Sequence, residues 1–337
     1  MSSAENNDPK HDIALALREA LGRALANIDL VRNVRRLSGG ASQEMWSFTA
    51  TLDDGPAELI VRRIPGGGDE ELSATSIPKA HEAALLRAAH QGGVPVPQVI
   101  CVFSPEDGLG PGYVMNRLEG ETIARKILRD EAFAQARTVL ADQCGAAMAR
   151  IHAVPVDGLP ELPRHDARAQ LRSLRDLYDT FDDPHPVFEL AFRFLDDNAP
   201  DIATPCLVHG DFRNGNIMVN EAGLVAVLDW ELSHFGDPME DLGWICVNSW
   251  RFGQLDNPVG GFGSYEDLFA GYERESGHSV DPKRVHYWEV FGTLRWGVIC
   301  QIQTFAHLSG AYRSVERAAI GRRASEAELD LLTLIGG

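Results

Sequence analysis

Paired cysteines are missing from this chain. Its five cysteines (Cys101, Cys144, Cys206, Cys246 and Cys300) are widely spread, lie mostly in apolar surroundings and form no Cys-x-x-Cys pair. That pattern excludes a disulfide framework and a cysteine-built zinc site, and it predicts buried, reduced thiols. The histidines show no His-Glu-x-x-His or comparable ligand spacing. Positive charge is scarce too: 31 Lys and Arg stand against 49 Asp and Glu, a formal net charge of -18. This balance argues against nucleic acid or an anionic membrane as a main partner. The most apolar late segment, Trp288 to Ile302, is interrupted by Glu289 and Arg295 and is too short to cross a bilayer. The polar opening, Met1 to Asp12, has no apolar signal-peptide core, so a cytoplasmic location is expected. No Walker A ending and no Gly-x-Gly-x-x-Gly is present, and neither is an internal repeat or a low-complexity tract.

What is there is an ordinary globular composition. The 337 residues are 44% hydrophobic and 24% charged, enough chain for two lobes or domains. The stretch from Leu207 to Trp230 organises the rest. It reads Leu-Val-His-Gly-Asp-Phe-Arg-Asn-Gly-Asn-Ile-Met-Val, a polar turn at Asn220 to Gly223, then Leu-Val-Ala-Val-Leu-Asp-Trp. Two short apolar runs around a Gly-containing turn predict a hairpin. Such a hairpin would gather the Asp211 loop, Asn216 and Asp229 at one end. Phosphoryl transfer needs a carboxylate for the proton of the attacking hydroxyl, and oxygen ligands that hold magnesium on the nucleotide phosphates. A hairpin with a solvated acidic rim is the bland alternative, but it does not account for intervals of five and thirteen residues that each meet a flanking strand.

His-Gly-Asp-x-x-x-x-Asn followed by a strand-terminal Asp-Trp resembles the aminoglycoside phosphotransferase/choline kinase group. The resemblance implies an α+β, protein-kinase-like two-lobed fold. Its N-lobe would be a five-stranded antiparallel sheet plus a helix, and its C-lobe mainly helical with a catalytic hairpin. Residues 1–115 would form the nucleotide-covering N-lobe with its tail and first helix, 116–120 the hinge, and 121–337 the C-lobe with the acceptor site. By the same resemblance Asp211 is the catalytic base, with His209 supporting the loop and Arg213 beside it. Asn216 and Asp229 are the metal ligands, and ATP and Mg2+ are the cofactors. Val61-Arg62-Arg63, Leu294-Arg295-Trp296 and Gly321-Arg322-Arg323 look most like the branch associated with acyl-CoA dehydrogenases.

Along the chain, a disordered tail of about ten residues precedes an amphipathic helix from Asp12, which is read as its cap. Three strands follow, Val34 to Leu37, Met45 to Ala50 and Glu58 to Arg62, with a Gly-rich turn between the first two. That turn, Ser38-Gly39-Gly40-Ala41-Ser42, resembles the family's phosphate-covering loop, since glycine lets backbone N–H groups approach phosphate. The family's usual β3 lysine is absent. Arg62 takes the phosphate role here, with Arg63 as rival, and an arginine grips differently from a lysine. Pro65 to Gly68 opens a mobile loop, and a helix runs from Lys79 to Gly92. Glu82 on that helix is either the partner of Arg62 or a solvated glutamate. Two more strands end in Met115, Asn116, Arg117 and Leu118, where the backbone would recognise the adenine.

Further on, a helix carries Leu140, Cys144, Met148 and Ile151 and ends at His152, a structural histidine near the peptide carbonyls. Arg168, Arg172 and Arg175 share one face of the next helix, either as an anion site or as a solvated face. Asp241 would cap or brace the catalytic loop, and the last third reads helical through Ile320 to Leu334. The expected activity is an ATP-dependent transfer to a hydroxyl of a small molecule, a hydroxyacid or hydroxyacyl-CoA being favoured by the branch resemblance. The alternatives are an aminoglycoside or amino-alcohol acceptor, suited to the acidic surface, and a catalytically weak nucleotide-binding pseudokinase, suggested by the missing lysine. A monomer or homodimer fits either.

Overall fold

Apolar residues at every second position of Trp46-Ser47-Phe48-Thr49-Ala50 and Leu59-Ile60-Val61 make strands that bury one whole face. In the computed structural model, which describes residues 9–25, 30–39, 43–52, 55–65, 76–201 and 204–336, that face carries the core of the first of two compact units. This unit comprises Met1–Glu119 with two short returns of the chain, Asp157–Glu161 and Leu228–Leu232. Helix α1 (Pro9–Ala24) is followed by β1 (Val31–Gly39), β2 (Glu44–Leu52), β3 (Gly55–Arg63), α2 (Lys79–Gln91), β4 (Val99–Val102) and β5 (Gly112–Asn116). Among the described residues the five strands form one antiparallel sheet in the order β1-β2-β3-β5-β4. Ile13, Leu17, Ala20 and Leu21 of α1 pack on Trp46, Phe48, Leu59, Val61 and Val114.

The alternation puts Arg62 on the opposite face, with Tyr113 beside it in register. The hydroxyl of Tyr113 donates to Glu82 of α2 at 3.0 Å. Asp12, expected as the cap of α1, falls inside that helix. The helix starts three residues earlier at Pro9, whose fixed φ suits the first helical position. The expected tail (residues 1–8), residues 40–42 of the glycine-rich turn and residues 66–75 of the expected mobile loop lie outside the described residues.

The second unit comprises Gly120–Val156, Leu162–Val227 and Ser233–Gly337. Its elements are α3 (Ala124–Arg129), α4 (Ala134–Arg137), α5 (Leu140–His152), α6 (Ala167–Asp179), α7 (Pro186–Asp197), β6 (Cys206–Val208), β7 (Ile217–Asn220), β8 (Gly223–Val227), β9 (His234–Gly236), α8 (Met239–Cys246), α9 (Tyr265–Ser276), α10 (Pro282–Leu308), α11 (Val315–Gly321) and α12 (Ala324–Gly336). Strands β7 and β8 form the expected hairpin, and β6 pairs with β9. Helices α5 and α9 meet backbone to backbone, because a side chain at Gly145 would strike Leu268 O and one at Gly271 would strike Asp142 O. The C-terminal stretch read as helical from Ile320 is two helices, broken at Arg322-Arg323.

The arginine stripe of α6 is largely neutralised within this unit. Arg168 lies on Asp196, and Arg175 on Asp179 and Glu189 with its guanidinium over Tyr178 and Phe192. The solvated-face reading therefore describes it better than an anion site.

Candidate active site

In the second unit, β6 delivers the chain into a loop whose shape is set by glycines and buried anchors. Gly210 and Gly215 have φ of 78° and 126°, values open to glycine at little cost. Phe212 and Asn214 are fully buried, and the Asn214 amide donates to Gly260 O at 2.7 Å. From α8, the buried carboxylate of Asp241 accepts from His209 N at 2.9 Å and from Gly210 N at 3.0 Å. Asp241 therefore braces the loop, as the resemblance implied. His152 holds the other side of this brace, its Nε2 3.0 Å from Asp241 and its Nδ1 3.0 Å from the Tyr272 hydroxyl. It is a structural histidine, fixed by side chains and not by helix-end carbonyls. Burial alone would raise the Asp241 pKa, but the hydrogen bond and charge of His152, with His209, pull it below the ordinary carboxylate value.

The loop brings Asp211, His209, Arg213 and Asn216 together. His209 is fully buried, and its Nδ1 accepts from Asp211 N at 3.2 Å. The Asp211 carboxylate receives Trp244 Nε1 on Oδ1 at 2.8 Å and Asn216 Nδ2 on Oδ2 at 2.5 Å. Arg213 Nε lies between them at 3.1 and 3.2 Å. A second bond from Asn216 Nδ2 reaches Asp211 O at 3.0 Å. Asn216 thus turns its amide nitrogen towards Asp211, which points its amide oxygen away from that carboxylate. Arg213 rests on Trp250, 4.6 Å from the ring centre, and Arg295 on Trp244 at 4.9 Å.

The first unit holds Arg62, Glu82 and Asp229. Arg62 Nη1 lies 3.0 Å from Glu82, and Nη2 lies 2.7 Å from Asp229, 2.9 Å from Glu231 and 3.0 Å from Gln43. Burial opposes the charge on Arg62, but Glu82 and Asp229 outweigh it and push the guanidinium pKa up. Arg63 faces the other way, to Glu44 and Leu109 O, so Arg62 is the one of the two that meets Glu82. Asp229 has φ of 65°, a left-handed conformation uncommon for a residue with a side chain. Ser38 and Gly39 close β1 opposite Met45 and Glu44. At the expected hinge, Met115 lies opposite Ile60, Asn116 N donates to Gln98 O at 3.0 Å, and Arg117 N donates to Glu58 O at 2.9 Å. Leu118 follows, half-buried.

Three residues escaped the sequence reading. Lys79 is buried with its ammonium 2.8 Å from Glu82 and 3.6 Å from Glu231. Its only local signal is the i,i+3 spacing to Glu82. Glu231 follows Asp229 by two residues, so an Asp-Trp-Glu reading would have found it. Trp244 reaches Asp211 across 33 residues and leaves no local signal.

The family model that matches this chain is that of the phosphotransferase enzyme family, over residues 33–278. The chain belongs to that family. The chain is 29% identical over 334 residues to acyl-CoA dehydrogenase family member 11 of Gallus gallus, a match covering 89% of the chain and 40% of that protein. It is 28% identical over 207 residues to acyl-CoA dehydrogenase family member 10 of Mus musculus, covering 56% of the chain and 18% of that protein. The chain thus spans less than half the length of these curated relatives. Among solved structures, a Ralstonia eutropha protein classed with the aminoglycoside phosphotransferases superposes with a TM-score of 0.73 at 20% identity, covering 95% of this chain and 97% of that one. A choline/ethanolamine kinase family protein from Mesorhizobium loti gives 0.58 at 18%, covering 91% and 89%. These likenesses show the protein-kinase-like fold. Among the described residues no helix is long and apolar enough to cross a membrane.

Proposed function

We propose that this chain transfers the γ-phosphoryl group of ATP, with Mg2+, to a hydroxyl of a small molecule. The observation that carries the proposal is the Asp211 carboxylate, held by donors on both oxygens inside a braced His-Gly-Asp-x-x-x-x-Asn loop. In this reading the acceptor oxygen forms the new bond to the γ-phosphorus, the bond from that phosphorus to the β-bridging oxygen breaks, and ADP leaves. The hydroxyl proton passes to the Asp211 carboxylate, and Arg213 adds positive charge beside it. Asn216 and Asp229 supply an amide oxygen and a carboxylate, the hard donors that magnesium takes while keeping room for phosphate and water. When bound, Mg2+ would neutralise charge on the β- and γ-phosphates. Arg62, oriented by Glu82, and the Ser38–Ser42 loop would hold those phosphates, with residues 1–115 as the nucleotide-covering lobe and 116–120 as the hinge.

For the acceptor we favour a hydroxyacid or hydroxyacyl thioester. Arg295 lies over Trp244, its Nη1 3.5 Å from Gly210 O, and among the described residues no carboxylate pairs with it. The names of the acyl-CoA dehydrogenase relatives support the same class. A cationic acceptor such as an aminoglycoside or choline is the second reading, favoured by the net charge of -18.

A coupled ADP-release assay with Mg-ATP tests both against hydroxyacyl-CoAs, homoserine, sugars, choline, ethanolamine and aminoglycosides. Turnover with one class, reduced roughly 100-fold or more by Asp211→Ala while nucleotide binding persists, is the expected result. Undiminished activity in Asp211→Ala removes the role given to this residue. Tight Mg-ATP binding without turnover on any acceptor would point to a binding module.

A further inference from the structure

Asp211 is held asymmetrically. The single N–H of Arg213 Nε is divided between Oδ1 and Oδ2 at 3.1 and 3.2 Å, so it does little to choose a rotation of the carboxylate. The two short, undivided bonds do choose: Asn216 on Oδ2 at 2.5 Å and Trp244 on Oδ1 at 2.8 Å. Rotation about the last carboxylate torsion is soft and roughly two-fold. One donor per oxygen, each on a different element, fixes the plane. An indole N–H can only donate, so Oδ1 stays an acceptor whatever happens at Oδ2.

The indole itself has no freedom to turn. Trp244 is 5% exposed, and Trp250 meets it at 5.2 Å and 60°. Arg295 covers a face, and α10 offers bare backbone at Gly292, where an added Cβ would meet Trp244 Cε3 at 2.9 Å. A glycine inside a helix is unfavourable relative to alanine. The close indole and Val247, which a Cβ would meet at 2.8 Å, account for it here.

We propose that Trp244 is a positioning residue for phosphoryl transfer, its indole N–H setting the rotation at which the Asp211 carboxylate meets the acceptor hydroxyl. This rests on the reading of Asp211 as the base. It assigns a donor from α8, outside the catalytic loop, to the opposite oxygen from Asn216.

The test compares wild type, Trp244→Phe, Trp296→Phe and Asp211→Ala on the acceptor class that turns over, and on slow hydrolysis of Mg-ATP by water. Trp244→Phe keeps a ring against Gly292 and Arg295 but loses the N–H. Its kcat should fall roughly tenfold to 100-fold, as expected for a misoriented catalytic group, with KM for ATP within about twofold of wild type. Trp296→Phe is the packing control, because the Trp296 Nε1 is buried with no hydrogen-bond partner among the described residues; it should keep wild-type kcat. Should Trp244→Phe fail to fold, benzothienylalanine at position 244 removes the same N–H with the shape retained.

A readout independent of turnover is the indole 15N–1H spectrum of the six tryptophans. The resonance absent in Trp244→Phe should move upfield in Asp211→Asn. Wild-type kcat in a folded Trp244→Phe, or a resonance indifferent to Asp211→Asn, overturns the proposal. Retained activity in Asp211→Ala overturns the functional reading instead.

Discussion

Replacing Asp241 by Asn should loosen the catalytic loop by an amount that follows from its hydrogen bonds. The carboxylate is fully buried and accepts from two adjacent backbone N–H groups, one on each oxygen, and from His152 Nε2 on Oδ2. An amide has one oxygen. Its best placement keeps His209 N and His152 satisfied through the Oδ2 position and turns an NH2 towards Gly210 N, donor against donor. One buried N–H left without an acceptor costs about 1–3 kcal/mol, and losing the charge from the other bonds adds about 1 kcal/mol. The expected loss is therefore about 2–4 kcal/mol.

The assay is urea unfolding followed by tryptophan fluorescence, since Trp244, Trp250, Trp288 and Trp296 lie in this unit. The two units need not unfold together. Because the Asp241 pKa is lowered by folding, the wild type has this stabilisation above about pH 4 and loses it as pH falls through the folded-state pKa. The gap between wild type and Asp241→Asn should accordingly be full at pH 7 and shrink in acid. With Gly210 released next to Asp211, kcat should drop roughly tenfold or more. A variant within 1 kcal/mol of wild type at pH 7, or a gap that widens in acid, would refute the reasoning.

Two further outcomes concern packing and buried charge. Lys79→Met strips a buried ammonium from Glu82 and Glu231 and should cost about 3 kcal/mol in urea unfolding at pH 7; a loss below 1 kcal/mol would mean that Arg62 alone carries both acids. Gly145→Ala drives a methyl into the backbone of α9, which cannot rotate away, and should destabilise the second unit by roughly 3 kcal/mol. A wild-type melting temperature for that variant would show that the helix seam can open freely.

Much of this was legible in the sequence because it is encoded locally. The hairpin, Asp211 with Asn216, and the sheet follow from alternation and turn chemistry over a few residues. That Arg62 and not Arg63 meets Glu82 was also within reach: Val61 belongs to the face buried under α1, so its neighbour at 62 points to α2 and the one at 63 does not. Asp12 was misread because a good capping residue was weighed without the proline three positions before it. Trp244, and the Glu231 contact with Lys79, depend on distant segments meeting in the fold, and no periodicity announces such meetings. The arginine stripe of α6 showed the converse failure, a local pattern that looked chemical until Asp196 and Glu189 closed over it.

The guanidinium of Arg62 has a consequence for how this chain can change. A single nitrogen, Nη2, faces Asp229, Glu231 and Gln43 while Nη1 holds Glu82. A lysine has one point charge and three hydrogens in its place, and it cannot meet all four groups. Replacing Arg62 by lysine would leave one ammonium for acids that two guanidinium nitrogens now share, and Glu231 would rest on Lys79 at 3.6 Å and on the Gln43 amide at 2.8 Å. Arg62 and Glu231 are thus coupled: a change at either one alone alters the charge balance that the other meets.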